Sequence, residues 1–380
     1  MRNIALILLV VLSTLILPAG ASYLEDNYER TPSGETTPPP ERHSENPLRR
    51  VVRRLKVRDG CYYRGLTVFL LELEEPEDQT VYVSAEEALG DGTLHVRETG
   101  EEVISALRVR NRGKRAVLLL AGEVLLGGKQ NRILRDDVLL SPGSGWVRVP
   151  VACVEERRWS EKSEKFRRRV RMAPQQLRAA SQAGRSQKEL WQGVRGYHER
   201  FGVESKSRDL AAIRDSEGVQ EALRNYRRHF SRHCWRPEVV GMVVARRGRI
   251  VGTDVFCNAP VFRKHRDRLL DSYAIDCIAH HHDSIERVPE RRRIGREDAR
   301  RFLRRTLHAQ ITSKPGHGSG RRLGVEGDAI HGAGLDYRSS LLHAALYPRR
   351  IIITPPPHPS PPPRPPHPIP RPRPHDEPQR

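Results

Sequence analysis

The chain has 380 residues and a formal net charge of +20, from 67 basic and 47 acidic side chains. This length is enough for a sizeable core in one large domain or two small ones. Arg makes up 58 of the basic residues, and its planar fork suits phosphate and carboxylate partners. A plain Arg-rich solvated surface is the alternative. The sequence contains no nucleic-acid-binding motif, which disfavours that class of function.

The N-terminus has the pattern of an export signal. Arg2 supplies the positive start, Ile4 to Leu17 form an apolar core, and Ala19 to Ala21 fit a small-residue cleavage site. We therefore predict a signal peptide over 1–21 and a secreted, periplasmic or cell-envelope protein. The apolar run is shorter than the roughly 20 residues of a spanning helix. No membrane span is expected after cleavage, although an uncleaved anchor stays an alternative.

Both ends of the mature chain are rich in residues that do not build a core. Residues 22–58 are rich in Pro, Thr, Ser and Glu, and residues 349–380 are dominated by Pro and His. Such compositions are typical of disordered segments. We predict a disordered linker over 22–58, a folded domain over 59–348 and a Pro-rich disordered tail over 349–380.

The five cysteines are widely spaced, and they are Cys61, Cys153, Cys234, Cys257 and Cys277. In an exported chain they permit at most two internal disulfides, which leaves at least one thiol free or paired externally. Their spacing matches neither a zinc ribbon nor a small disulfide scaffold.

The first half of the predicted domain is rich in short β-type runs. These are Leu66 to Leu73, Thr80 to Val83, Thr93 to Glu98, Ile104 to Arg110, Ala116 to Leu126 and the alternating stretch Val147 to Cys153. A capping box, Ser84-Ala85-Glu86-Glu87, opens a short helix that Gly90 ends. Pro150 indicates an edge or an irregularity in its strand.

The second half is charged and mostly helical. Apolar residues recur at intervals of three and four in Gln187 to Phe201 and in Ser216 to His233. The segments Val239 to Ala245 and Arg249 to Phe256 predict a hairpin, followed by helices from about Pro260 and over Arg296 to Ile311. Short runs in Gly316 to Tyr347 indicate closing strands. The predicted class is α+β: a β-rich N-terminal half, a charged helical middle, a hairpin-helix unit and closing short strands between disordered Pro-rich ends.

Several motifs in one order resemble a known bacterial family. They include Gly122-Glu123 with Gly127 to Arg132, Pro150-Val151 with Cys153 to Glu155 and Arg158-Trp159, Asp254 to Phe256, and Gly318 to Leu323 leading to His343. The chain resembles the ARG and Rhodanese-Phosphatase-superfamily-associated domain family over roughly 59–348. The resemblance implies a link to ADP-ribose or phosphate-ester metabolism, without a settled reaction or cofactor. Arg157 stands where the family usually has Gly.

The first candidate site residue is Glu123, which lies within an apolar run. A buried carboxylate needs a partner, because an isolated one costs several kcal/mol. Lys129 or Arg132 is the expected partner. An ion pair that fixes the Gly127-Gly128 loop and a ligand-binding or catalytic acid are both open interpretations. Gln130 and Asn131 complete this polar segment.

The second group of candidates lies at the end of the alternating strand. Cys153 and Glu155 are two residues apart and should share a face. Cys153 is a candidate nucleophile, a buried small hydrophobe or a disulfide partner. Glu155 with Arg158 suits a polar ligand, and Trp159 suits either stacking or core packing. We expect one pocket in which Glu123 and Glu155 meet opposite charges.

Three functions follow from these residues. The first is an accessory domain that binds an anionic small molecule, such as a nucleotide-like or ADP-ribose-like ligand, or a phosphorylated partner. Its ligand-binding candidates are Glu123, Lys129, Gln130, Asn131, Arg132, Glu155, Arg158 and Trp159. The second is a hydrolase or transferase with Glu123 or Glu155 as general base. The third is a cationic protein that adheres to an anionic envelope. His229 and His233 are four apart, but the apolar stripe runs between them, and we predict no metal site.

Overall fold

The computed structural model describes residues 45–99, 105–157, 166–281 and 294–349. Within these ranges the chain forms seventeen strands in three sheets together with eight helices, so the α+β prediction is confirmed. The predicted signal 1–21, most of the linker and all but the first residue of the tail lie outside the described residues.

The strands and helices differ widely in length. The strands are β1 (Lys56–Tyr63), β2 (Leu66–Glu72), β3 (Val83–Ser84), β4 (Leu94–Glu98), β5 (Ala106–Asn111), β6 (Val117–Leu119), β7 (Glu123–Leu125), β8 (Arg132–Leu134), β9 (Val138–Leu140), β10 (Val147–Cys153), β11 (Val170–Met172), β12 (Val239–Arg246), β13 (Arg249–Phe256), β14 (Gln310–Pro315), β15 (Arg321–Glu326), β16 (Ile330–Tyr337) and β17 (Ser340–Pro348). The helices are α1 (Pro47–Arg54), α2 (Ala85–Gly90), α3 (Gln175–Gln182), α4 (Gln187–Phe201), α5 (Leu210–Asp215), α6 (Glu217–His233), α7 (Ala259–His281) and α8 (Arg296–His308).

An eight-stranded sheet in the order β1-β2-β12-β13-β17-β16-β15-β14 forms the centre of the fold. Successive side chains of a strand point to opposite faces. On β12, Met242 and Val244 pack with the core of α4 to α7, whereas Val243 and Ala245 pack with α1 and α8. Because helices cover both faces, β12 is buried along almost its whole length.

Two smaller sheets share a second core. Their orders are β11-β7-β8-β10-β5-β4 and β3-β6-β9. Val117, Leu134 and Val149 belong to this core, as do the apolar residues of α2. The predicted capping box is confirmed, since the side chains of Ser84 and Glu87 each accept a hydrogen bond from the backbone N–H of the other residue at the start of α2. Strand β10 pairs with β5 up to Pro150 and with β8 from Val151 onward, so the irregularity predicted at Pro150 is a change of partner.

The predicted strand Ala116 to Leu126 is interrupted at Gly122. This residue has φ +89°, and a Cβ built on it would lie 2.4 Å from Cγ of Arg178. Only Gly tolerates both the left-handed backbone and the close approach. The run therefore divides into β6 and β7, and Glu123 begins a new strand.

The predicted linker over 22–58 ends too late, because α1 is folded. Asn46 caps this helix by accepting a hydrogen bond from the backbone N–H of Leu48 at 3.0 Å. Leu48, Val51 and Val52 are buried in the core that contains α8. The sequence analysis missed this helix because its three apolar residues lie among four Arg residues and next to a Pro-rich segment.

The remaining predicted elements agree with the structure within a few residues, with two exceptions. The segment Thr80 to Val83 contributes only its last residue to β3. The last predicted helix ends at His308, and Ile311 belongs to β14.

One disulfide joins β1 to the residue after α6. Cys61 and Cys234 form it with a Cα–Cα separation of 6.0 Å. Cys153, Cys257 and Cys277 are buried thiols. This agrees with the limit of two internal bridges that the sequence sets.

Candidate functional site

The residues Glu98, Gln130, Arg132, Cys153 and Glu155 form a buried group that we call the motif cluster. Arg132 donates to Oε2 of Glu98 at 3.3 Å and to Oε1 of Gln130 at 3.0 Å, and it contacts Sγ of Cys153. Gln130 donates to the backbone carbonyl of Glu155 at 2.8 Å. The end of β10, with Cys153 and Glu155, and the Gly127 to Arg132 loop are therefore brought together. Glu98 also belongs to the motif cluster, although the sequence analysis did not identify it.

The glycines of the loop make room for Glu98. Gly128 has φ +57°, and a Cβ there would lie 2.6 Å from Oε1 of Glu98. The backbone N–H of the half-buried Lys129 donates to the same oxygen at 3.1 Å. Glu98 ends a predicted strand beside Arg97, where nothing in the sequence marks it as a partner of a loop about thirty residues away.

Cys153 lacks the features of a reactive thiol. The side chain is fully buried, and this burial raises the pKa of the Cys153 thiol, while Arg132 acts in the opposite direction. Thiolates form at exposed, electropositive positions. Cys153 therefore fits the buried hydrophobe interpretation best.

Asn131 and Glu155 connect the motif cluster to α5. Asn131 accepts from the backbone N–H of Gly127 at 2.9 Å and donates to Oδ1 of Asp209 at 2.8 Å. Its own backbone N–H donates to Oε2 of Glu155 at 3.3 Å. Asn131 thus ties the loop both to the fully buried Glu155 and to Asp209, the residue that caps α5.

Glu123 lies in a different group from Glu155. Its carboxylate accepts from the guanidinium of Arg268 at 3.1 Å and from the backbone N–H of Leu120 at 3.0 Å. Nδ1 of His265 lies 3.7 Å away. Although burial raises the pKa of Glu123, His265, Arg268 and the Leu120 N–H together lower it below its usual value.

The expected partner of Glu123 is therefore corrected from Lys129 or Arg132 to Arg268. Strands β7 and β8 are antiparallel, and Arg132 lies opposite Leu125. Glu123 is at the other end of β7, where α7 supplies its cation. Among the described residues Glu123 is bound by Arg268 and Leu120 whereas Glu155 is bound by Asn131, so these residues do not bring the two carboxylates into the single pocket that the sequence predicted.

A third buried group, which we call the central network, lies where β13, β17, α3 and α7 meet. Arg178 donates to Oδ1 of Asp254 at 2.5 Å, and Tyr273 donates to Oδ2 at 2.7 Å. His343 lies between two carboxylates, with Nδ1 2.7 Å from Asp137 and Nε2 3.3 Å from Asp254. Burial lowers the pKa of His343, but the two carboxylates outweigh it and raise the pKa to about 9.

Arg268, the partner of Glu123, lines a cleft whose wall consists mainly of cations, and we call it the basic cleft. The space that water can occupy in it is about 440 Å³. Its wall contains eight cationic side chains and four carboxylates. The cations are Arg169, Arg171, Arg214, Arg224, Arg227, Arg263, Lys264 and Arg268, and the acids are Glu86, Asp215, Asp267 and Asp271.

Ion pairs hold part of the wall of the basic cleft in place. Arg268 bridges Glu123 and Glu86, the latter at 2.5 Å. Arg214 pairs with Asp271, and Nε of Arg227 lies 3.1 Å from the same carboxylate. Burial raises the pKa of Asp271, although Arg214 and Arg227 lower it.

The charges in this wall repel one another. Burial lowers the pKa of Arg214, and the guanidinium groups of Arg171, Arg227 and Arg169 lower it further against the effect of Asp271. Among the described residues, Arg169 and Arg224 make no ion pair, and both are exposed. An anion in the cleft would therefore relieve unfavourable charge.

Sequence reasoning did not identify the basic cleft, although three signals were present. Arg167, Arg168, Arg169 and Arg171 are nearly consecutive, and α7 carries cations at 263, 264 and 268. The polar face of α6 adds Arg224 and Arg227. What the sequence lacks is the packing that places these three segments around one space.

Two predicted residues, Arg158 and Trp159, lie outside the described residues. Across the part of the chain that the structure describes, no group of three or more His, Cys, Asp or Glu side chains could hold a metal ion. No described helix combines the length and the apolar character needed to cross a membrane.

No curated protein and no solved structure was found to match the chain. The model of one family, the ARG and Rhodanese-Phosphatase-superfamily-associated Protein domain, matches residues 54–347. This range includes the motif cluster, the central network and the basic cleft. Since the match covers well over half of the sequence, the chain belongs to the ARG and Rhodanese-Phosphatase-superfamily-associated Protein domain family.

Proposed function

We propose that this protein binds an anionic small ligand in the basic cleft. The observation that carries the proposal is the excess of eight cationic over four acidic side chains around one space of about 440 Å³. Ligand sites in proteins commonly have volumes of about 300 to 1,000 Å³. The cleft therefore suits a small molecule better than an extended protein surface.

The chemistry of the wall favours phosphate over carboxylate as the ligand group. Seven of the eight cations are Arg, whose planar fork donates two parallel hydrogen bonds to phosphate oxygens. A phosphate group carries more negative charge than one carboxylate, and it would compensate the repulsion around Arg214. We retain the anionic ligand that was expected from the sequence. We place its binding site in the basic cleft instead of at the Gly127 to Arg132 loop.

The motif cluster supports a structural role for most of the predicted loop residues. Gln130, Asn131 and Arg132 already use their side chains to bind Glu155, Asp209 and Glu98. Glu123 and Glu155 are fully buried, so no observation among the described residues favours general-base catalysis by either one.

The proposal extends to an exported protein. The N-terminal pattern of a signal peptide supports it, and so does the disulfide between Cys61 and Cys234, because disulfides persist in oxidising compartments. Mass spectrometry of the protein from its native host tests this: we expect a mature N-terminus near Ser22. Retention of residues 1–21 in the soluble fraction would contradict it.

The binding proposal is tested with the double variant Arg169→Ala/Arg224→Ala. Both side chains are exposed and make no ion pair among the described residues, so their removal should leave the fold intact. We expect the affinity for inorganic pyrophosphate, measured by titration calorimetry, to fall by about 10-fold or more, since a hydrogen bond to a charged group contributes roughly 1.5 to 3 kcal/mol.

The matched control is Arg108→Ala/Arg305→Ala, which removes the same charge from two exposed positions outside the cleft. We expect it to change pyrophosphate affinity by less than about 2-fold at physiological salt, where distant exposed charges are screened. Equal losses in both variants would contradict a defined site and support adhesion through diffuse positive charge.

A further inference from the structure

The six-stranded sheet has an outer surface rich in cations, which we call the arginine face. It lies where β4, β5 and the first part of β10 pair side by side. Val96, Val109 and Val147 of these strands pack with the second core, so the residues between them point to the opposite side of the sheet. The residues of the arginine face are His95, Arg97, Arg108, Arg110, Trp146 and Arg148.

Three of these arginines form a row across the strands. Arg108 of β5 lies opposite Arg97 of β4 on one side and opposite Arg148 of β10 on the other. All three residues are exposed. Neighbouring strands lie about 4.8 Å apart, so the row places three cations along roughly 10 Å of the face. Like charges directly opposite each other destabilise a sheet, and the row therefore lowers the stability of the protein alone.

The arginine face has no anionic partner within the described part of the chain. The side chains of its four arginines make no ion pair and no hydrogen bond there. Two of them lie over the ring of Trp146 instead. The central guanidinium carbon of Arg97 is 4.9 Å from the centre of this ring, and that of Arg110 is 5.7 Å from it. The positive charge of the face is therefore left without compensation.

The same charges act on His95, which lies opposite Arg110. Burial lowers the pKa of His95, and the guanidinium groups of Arg112, Arg110 and Arg97 lower it further. A surface that disfavours a fourth cation in this way favours an anion.

The shape of the arginine face does not suit a small ligand. Sites for small molecules are concave and enclose the ligand, whereas these residues lie side by side on the open surface of a sheet. None of them lines the basic cleft. The face therefore suits an extended anionic partner, and Arg108 stays outside the small-ligand site.

A protein partner does not match this surface well. A second copy of the chain, docked by two-fold symmetry, would place arginines against arginines. Stable interfaces with other proteins have an apolar centre, and the large apolar side chain of this face, that of Trp146, is half-buried beneath two guanidinium groups.

A lipid bilayer matches the arginine face better than a single-stranded nucleic acid does. Nucleic acid strands are held by aromatic rings on which bases stack, but Arg97 and Arg110 already lie over Trp146. A bilayer needs no such ring, and its headgroups diffuse laterally until their phosphates match the spacing of the row. Tryptophan is also favoured at the level of the headgroups.

We infer that the arginine face docks this protein on an anionic lipid bilayer, with Arg97, Arg108 and Arg148 against the phosphate groups of the lipids. The planar fork of Arg suits phosphate, and anionic headgroups remove the repulsion within the row. The basic cleft contributes no residue to this surface, so lipid docking and ligand binding can be tested separately.

Sedimentation of the full chain with lipid vesicles tests the inference. One set of vesicles contains equal parts of phosphatidylglycerol and phosphatidylcholine, and the other contains phosphatidylcholine alone. The ratio of the two binding constants isolates the effect of anionic lipid, because the apolar N-terminal run is present in both measurements. We expect Arg97→Ala/Arg148→Ala to lower this ratio by about 10-fold or more, since each basic residue at an anionic membrane contributes roughly 5-fold.

Two further variants separate lipid docking from other causes. Arg97→Lys/Arg148→Lys keeps both charges and should keep the ratio within about 3-fold of the wild type. The matched control is Arg304→Ala/Arg305→Ala, which removes two exposed cations of α8. It should change the ratio by less than about 2-fold, because charges farther from the membrane than roughly 8 Å are screened.

Three outcomes would overturn the inference. The first is a wild-type protein with no preference for the anionic vesicles. The second is an equal loss in Arg97→Ala/Arg148→Ala and in the α8 control, which would indicate diffuse positive charge. The third is binding of single-stranded oligothymidylate, but not of vesicles, that depends on Arg97 and Arg148, which would make the arginine face a nucleic-acid surface.

Discussion

Replacing Arg178 with alanine is expected to lower the free energy of unfolding by about 3 to 5 kcal/mol. Arg178 and Asp254 are both almost completely buried and form a two-pronged pair. Among the described residues, removing the cation leaves Tyr273 and His343 as the remaining side-chain partners of the buried carboxylate. Unfolding in urea, followed by tryptophan fluorescence, measures the loss.

The control for this prediction is Arg185→Ala. Arg185 also pairs with a carboxylate, that of Glu189, but its side chain is 55% exposed. Exposed ion pairs contribute about 0 to 1 kcal/mol, so a small change is expected. If Arg178→Ala and Arg185→Ala destabilise the protein equally, the central network does not have the structural role that its burial indicates.

The stability of the protein should fall on the alkaline side of neutrality because of His343. Its pKa is raised to about 9 by Asp137 and Asp254, whereas an unfolded histidine has a pKa near 6.5. A raised pKa stabilises the folded state fully below the unfolded value, and this contribution is lost as the pH rises through the folded value. Between pH 6 and pH 8 the loss from His343 should be about 2 kcal/mol.

The pH dependence is assigned to one residue by His343→Gln. This variant should be less stable at pH 6 and should show a much flatter decline up to pH 8, because it has no proton to lose. Burial raises the pKa values of the Cys257 and Cys277 thiols to about 12, and their contribution to stability is lost only above the unfolded thiol value of about 8.5, which lies outside this window. An equally steep decline in the variant would show that another group causes it.

The sequence predicts the fold well where periodicity is strong. The helices α4 and α6 and the hairpin of β12 and β13 follow from apolar residues at intervals of three and four, or from two β-rich runs around a turn. The sequence predicts the fold poorly where a contact between distant residues determines the local backbone. Gly122 breaks a continuous apolar run because Arg178 occupies the space beside it, and Arg178 is remote in sequence.

The candidate site was harder to predict than the fold, and Glu123 shows why. Sequence reasoning correctly requires a partner for a buried acid, but the nearest cations along the chain are not the ones in contact. Arg268 reaches Glu123 across 145 positions of the sequence. The basic cleft has the same origin, since its cations come from β11 and the residue before it, and from α5, α6 and α7. Charge counts alone do not indicate which of 58 arginines share a space.

The most direct test of an anion site in the basic cleft is a crystal structure grown with sodium tungstate. Tungstate resembles phosphate in shape and charge, and its anomalous scattering locates it without ambiguity. We expect a tungsten peak between α6 and α7, within hydrogen-bonding reach of the guanidinium groups of Arg224 and Arg227. A well-ordered peak elsewhere on the protein, with this cleft containing only water, would contradict the account.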